Sequence, residues 1–109
     1  MTYSSDLAYQ DHILQHVSRT FALTIPQLPG NLGVAVGNAY LLCRIADTIE
    51  DDAELDAARQ QALAEQFIAI VEQREPAEPF ARDLAPALWA GASAAERDLI
   101  ANTPRVVAV

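Results

Sequence analysis

The chain has 109 residues, 51% hydrophobic and 20% charged, with only 4 glycines and 6 prolines, a balance that excludes a disordered or collagen-like polymer and favours one helical domain. A formal net charge of −8 and the lack of any Lys/Arg cluster exclude nucleic acid as a partner, and an anionic small molecule would be repelled unless a divalent cation stood between it and the carboxylates. Cys43 is the single cysteine, so no intrachain disulfide can form; with Ser4, Ser5, Asp6 and Gln10 interrupting the start, the expected location is the cytoplasm, with any membrane contact peripheral.

Leu7, Ile13, Leu14 and Val17 fall near helical spacing behind Ser5 and Asp6 as candidate N-caps, which predicts a first helix from about residue 6 through 17, with a continuation toward Ile25 left open. Pro26 and the Pro29-Gly30-Asn31 cluster predict a turn, and a second helix follows from about residue 32 to 51. Its most apolar stretch, from Leu32 to Cys43, is interrupted by Asn38 and is shorter than the roughly 20 residues a membrane span requires. Leu63, Phe67, Ile70 and Val71 predict a helix over about residues 56–73, ended by Pro76 and Pro79, and a short helix over about 80–89 comes next, with Phe80 and Trp89 as core or interface anchors. Ser93 and Glu96 fit a capping box. Thr103 followed by Pro104 reads as an N-cap and first helical position, yet only Val106, Val107, Ala108 and Val109 remain beyond Arg105, an apolar end without a layer to pack on. The expectation is therefore that residues 1–109 are the front of a longer domain, truncated at the C-terminus, and that its exposed apolar faces self-associate.

The second helix carries the chemistry. At 100° per residue, with Tyr40 at zero, Arg44 falls at about 40°, Asp47 at about −20°, Asp51 and Gly33 at about 20° and Gly37 at about 60°. Val34, Leu41, Leu42, Ile45 and Ile49 form a separate apolar face at about 100–200° by the same geometry. A solvated stripe with Arg44 paired to Asp47 is one reading. Against it, Asp47, Glu50, Asp51 and Asp52 crowd a helix C-terminus, where the dipole disfavours negative charge, and two glycines cost about 1 kcal/mol each unless a helix or ligand must come close. Asp47 and Asp51, one turn apart and oxygen-only, suit Mg²⁺, which takes one or two carboxylates, waters and substrate phosphate oxygens.

The run Ser18-Arg19-Thr20-Phe21-Ala22, followed by Tyr40-Leu41-Leu42-Cys43-Arg44-Ile45-Ala46-Asp47-Thr48-Ile49-Glu50-Asp51-Asp52, resembles the first two signature regions of squalene/phytoene synthases in order and spacing. The resemblance implies an all-α isoprenoid-synthase-type helical bundle around a cavity. It also implies Asp47 and Asp51 as Mg²⁺ ligands, Ser18, Arg19, Tyr40 and Arg44 around a substrate diphosphate, with Tyr40 and Arg44 in catalysis, and Phe21 lining the prenyl pocket. The string DTIEDD resembles the squalene synthase branch, whose reaction joins two farnesyl diphosphates head to head through presqualene diphosphate and finishes with hydride from NADPH, toward sterols or hopanoids. A phytoene or dehydrosqualene synthase-type prenyltransferase and a catalytically inactive helical protein are the alternatives. The family's second Asp-rich motif, on a later helix, has no counterpart after Asp52, and no residue here marks an NADPH site.

Two other features have plain readings. His12 and His16, at i,i+4, lack a third metal ligand and are expected to be surface histidines. Cys43, beside the apolar stripe, is expected to be a small buried hydrophobe.

Overall fold

Ser5 starts the first helix, its hydroxyl accepting the Ala8 N–H at 3.0 Å, the exchange that satisfies an otherwise orphaned amide. In the computed structural model, which describes residues 5–109 and, within them, every side chain except those of Phe21 and Pro26, α1 spans Asp6–Val17. It ends at Val17, as the spacing predicts, and the continuation toward Ile25 is interrupted: Ser18 is extended at φ −159, ψ 97, so α2 (Arg19–Thr24) begins afresh and tightens into a 3₁₀ turn over Ile25–Gln27. Gly30, at φ +59, makes the turn that a side chain would resist.

The central α3 spans Leu32–Asp51, the bounds the spacing predicts. α4 (Ala57–Val71) is capped by Asp56, which accepts the Arg59 N–H at 2.7 Å. α5 (Glu78–Leu84) leads into a 3₁₀ turn over Ala85–Ala87. Pro79 opens α5 and does not close α4, because the first helical turn has no use for the N–H that proline lacks. The expected capping box forms at Ser93 and Glu96, opening α6 (Ala94–Ala101).

Thr103 is not the expected N-cap. Asn102 flanks α7 (Thr103–Val107) without a side-chain cap, and α6 leads so directly into α7 that the buried Thr103 hydroxyl turns back to donate to the Ile100 carbonyl at 2.7 Å. Two of the three valines beyond are covered, and Val109 alone of them is exposed. Val106 is fully buried and Val107 packs against the core, because α7 lies on α1, α3 and α5.

α3 is the spine: α1, α4, α6 and α7 all pack on it, and α5 rests on α6 and α7. Leu41, Ile45 and Ile49 of α3 meet Tyr9 and Ile13 of α1, Leu63 and Phe67 of α4, and Leu99 and Ile100 of α6 in one core, each side chain contributing roughly 1.5–3 kcal/mol by leaving water. By length and composition the whole of α3 is long and apolar enough to cross a membrane, which the shorter stretch from Leu32 to Cys43 did not suggest; here its Leu41, Ile45, Ile49 side is covered by other helices. A buried amide relay adds direction. Gln10 donates to the Val34 carbonyl at 3.0 Å, and Asn38 donates to Gln10 Oε1 at 3.1 Å and to the Val106 carbonyl at 2.7 Å, tying α1, α3 and α7 together.

Candidate functional site

The polar stripe of α3 divides along its length. Its N-terminal half is buried, and a Cβ placed on Gly33 would lie 2.8 Å from the Ile25 carbonyl oxygen; one on Gly37 would lie 3.1 Å from Gln10 Nε2 and 3.2 Å from the methyls of Ile25 and Leu14. The glycines thus admit α1 and the 3₁₀ turn, so close approach by protein, and not by a ligand, explains them. Two turns on, Tyr40 and Arg44 are half-buried, and Asp47 and Asp51 are exposed.

Among the described residues, ion pairs form at Arg74–Glu72, Arg82–Asp83 and Arg105–Asp6, and none involves Arg44, Asp47 or Asp51. The Arg44–Asp47 pair of a merely solvated stripe is therefore not formed. Arg44 Nε is buried with no hydrogen-bond acceptor, an arrangement that costs free energy until an anionic oxygen arrives. Arg19 is exposed at the start of α2 and Ser18 sits half-buried at the α1–α2 break. The side chain of Phe21 lies outside the described residues.

The carboxylate end of α3 is fastened by residues whose roles the sequence did not disclose. Gln60 of α4 donates to the carbonyls of Ile49, Glu50 and Asp52 at 3.3, 3.0 and 3.3 Å, satisfying acceptors that a helix end leaves open. Asp52 turns inward, accepting the N–H of Glu54 at 2.9 Å and of Trp89 at 3.1 Å. Arg97 in turn donates to the carbonyls of Leu88 and Trp89 at 3.1 and 2.7 Å. An Asp directly after a helix is a common backbone-bonding position, and that was the available signal for Asp52; Gln60 and Arg97 gave none.

Among the described residues no group of three or more His, Cys, Asp and Glu side chains converges on a point, so no ready-made protein cage for zinc or calcium is present. Two unpaired carboxylates with Cβ atoms about 5–6 Å apart fit Mg²⁺, which leaves most of its coordination to water and phosphate oxygens. His12 and His16 lie with ring centroids 4.6 Å apart and tilted by 51°. Cys43 is exposed, against expectation, and lines an apolar groove with Leu42, Ala46, Phe67, Ile68 and Val71 between α3 and α4. A cleft of about 440 Å³ beside Gln10, Leu14, Ala22, Ile25 and Gly33 is lined by none of Tyr40, Arg44, Asp47 and Asp51.

The described residues form an all-α domain whose central helix carries a tyrosine, an arginine and two aspartates in a Y-x3-R-x2-D-x3-D register, and the family it matches has the isoprenoid-synthase fold. The chain belongs to the squalene/phytoene synthase family: the family's model matches residues 14–100, a stretch that contains every site residue named above. It is similar to squalene synthase BSS of Botryococcus braunii, 38% identical over 69 residues, covering 63% of this chain and 15% of that protein. It is also similar to the squalene synthases of Solanum lycopersicum and Nicotiana benthamiana, 54% and 51% identical over 43 residues, covering 39% of this chain and 10% of each relative. The chain thus spans 10% to 15% of the length of these curated relatives. No solved structure matches it.

Proposed function

We propose that the chain supplies the first metal- and diphosphate-binding wall of a head-to-head prenyl coupling site, with farnesyl diphosphate as substrate and Mg²⁺ as the ion. The observation that carries this reading lies at three residues of α3: Arg44 Nε is buried without an acceptor, and Asp47 and Asp51 stand exposed and outside the ion pairs one turn on. A diphosphate with its cation answers both needs together, since the guanidinium donates to phosphate oxygens in a planar fork and the carboxylates meet the positive charge.

In this reading Asp47 and Asp51 hold Mg²⁺, Arg44 and Tyr40 bind and orient the diphosphate, Ser18 and Arg19 reach it from the α1–α2 break, and Phe21 lines the prenyl pocket. Mg²⁺, when bound, supplies charge that stabilises departing pyrophosphate. The two substrates join to presqualene diphosphate with loss of one pyrophosphate and one proton, and presqualene diphosphate then loses the second pyrophosphate and takes hydride from NADPH to give squalene. The squalene branch is favoured over the phytoene branch by the DTIEDD string and by the squalene synthases among the relatives.

Calorimetric titration with a non-ionising farnesyl diphosphate analogue tests the reading. Binding is expected to require Mg²⁺ and to weaken in Asp47→Asn and Asp51→Asn; equal affinity in EDTA overturns it. Given farnesyl diphosphate, Mg²⁺ and NADPH, the 109-residue chain alone is expected to form no squalene, because the α3 face is open on its far side.

A further inference from the structure

One carboxylate in the acidic run at the end of α3 differs from its neighbours. Asp47, Glu50 and Asp51 are exposed, whereas Asp52 is 2% exposed. It ends α3 in an extended conformation, φ −72 and ψ 110, that directs the side chain away from the helix face carrying the other acids. Its Oδ1 accepts from Glu54 and its Oδ2 from Trp89, so both oxygens are committed to amides of the backbone. The Trp89 turn is itself held by Arg97, and the last carbonyls of α3 by Gln60. A helix end that ordinarily frays is pinned from two sides.

We propose that Asp52 is the positioning residue of the Asp47–Asp51 pair: by clamping the end of α3 to the Trp89 turn it fixes the direction of the adjacent Asp51 side chain, without itself touching the cation. The assignment rests on the metal and diphosphate reading above. Its physical basis is preorganisation: an ion held by two protein carboxylates binds more weakly if its binding must also order the turn that carries one of them. Asp52 orders that turn beforehand.

The experiment pairs two measurements on the whole chain. Mn²⁺ is titrated in the presence of inorganic pyrophosphate, with free ion counted by electron paramagnetic resonance, and amide hydrogen exchange is followed in the metal-free protein. Asp52→Asn is expected to speed exchange at Glu54, Trp89 and the last turn of α3 and to weaken Mn²⁺ binding about tenfold, the usual scale for losing a group that orients a metal ligand. Gln60→Ala, which loosens the same helix end and alters no acid, moves both readouts in the same direction and carries the test if Asp52→Asn does not fold. Val106→Ala, a core truncation that acts on α3 at the Asn38 end, lowers stability and leaves Mn²⁺ affinity unchanged.

Unaltered Mn²⁺ affinity in Asp52→Asn overturns the assignment. So does weaker binding without faster exchange at Trp89 and Glu54, which makes Asp52 a direct ligand, and so does an equal loss in Val106→Ala, which makes it an ordinary stability residue. A wild-type chain that binds no Mn²⁺ with pyrophosphate overturns the metal reading itself, and the assignment with it.

Discussion

Replacing Gly33 by alanine tests how tightly the first half of the polar stripe is closed. Its Cβ would sit 2.8 Å from the carbonyl oxygen of Ile25, a backbone atom in a 3₁₀ turn stiffened by Pro26, so the turn itself must move. Overpacking of this kind costs about 1–3 kcal/mol. The opposing gain in helix propensity reaches about 1 kcal/mol in a helix interior and less here, since Gly33 is the second residue of α3. The net expectation is a loss of about 1–2 kcal/mol, or a melting midpoint lower by roughly 5–15 °C in a domain of this size. Gly37→Ala is the internal control. Its new methyl meets only the ends of the Gln10, Ile25 and Leu14 side chains at 3.1–3.2 Å, in mid-helix where the full propensity gain applies, so the change should stay within about 1 kcal/mol of zero. Thermal and urea melts followed by far-UV circular dichroism measure both variants. If Gly33→Ala melts no lower than wild type, or Gly37→Ala is the more damaging, then backbone contact at Ile25 is not what requires glycine on this stripe.

Two further outcomes follow from the packing. The Tyr9 hydroxyl, fully buried, donates to the Asp98 carbonyl or carboxylate at 3.0 and 3.2 Å, so Tyr9→Phe should cost about 1–1.5 kcal/mol and lower the urea midpoint at constant m-value; an unchanged midpoint would show that the bond has no net value. Cys43 should react stoichiometrically with a thiol reagent in the native protein, because it is exposed on the α3–α4 groove; a reaction that starts only on unfolding would place it in the core.

The helices were legible where one signal sufficed. The capping box at Ser93 and Glu96, the cap at Ser5, and both ends of α3 needed only local spacing and cap chemistry. The first helix likewise ends at Val17, where the spacing places it. The same rules misjudged the junction where α6 meets α7: Thr103 surrenders the cap to donate back to α6. A cap rule sees one helix at a time, and Thr103 answers to two.

For the site, sequence determined which side chains share a face of α3: a helix of known register fixes the directions of Tyr40, Arg44, Asp47 and Asp51 before anything packs against it. It could not determine which part of that face is covered. Only the tertiary structure decided that Gly33 and Gly37 receive α1 and the Ile25 turn while Asp47 and Asp51 remain open, that Arg44 Nε is buried without an acceptor, and that Asp52 is drawn inward to Trp89, 37 residues away. The physical reason is that register is a property of one helix, whereas burial and hydrogen-bond partnership depend on which distant segments arrive beside it.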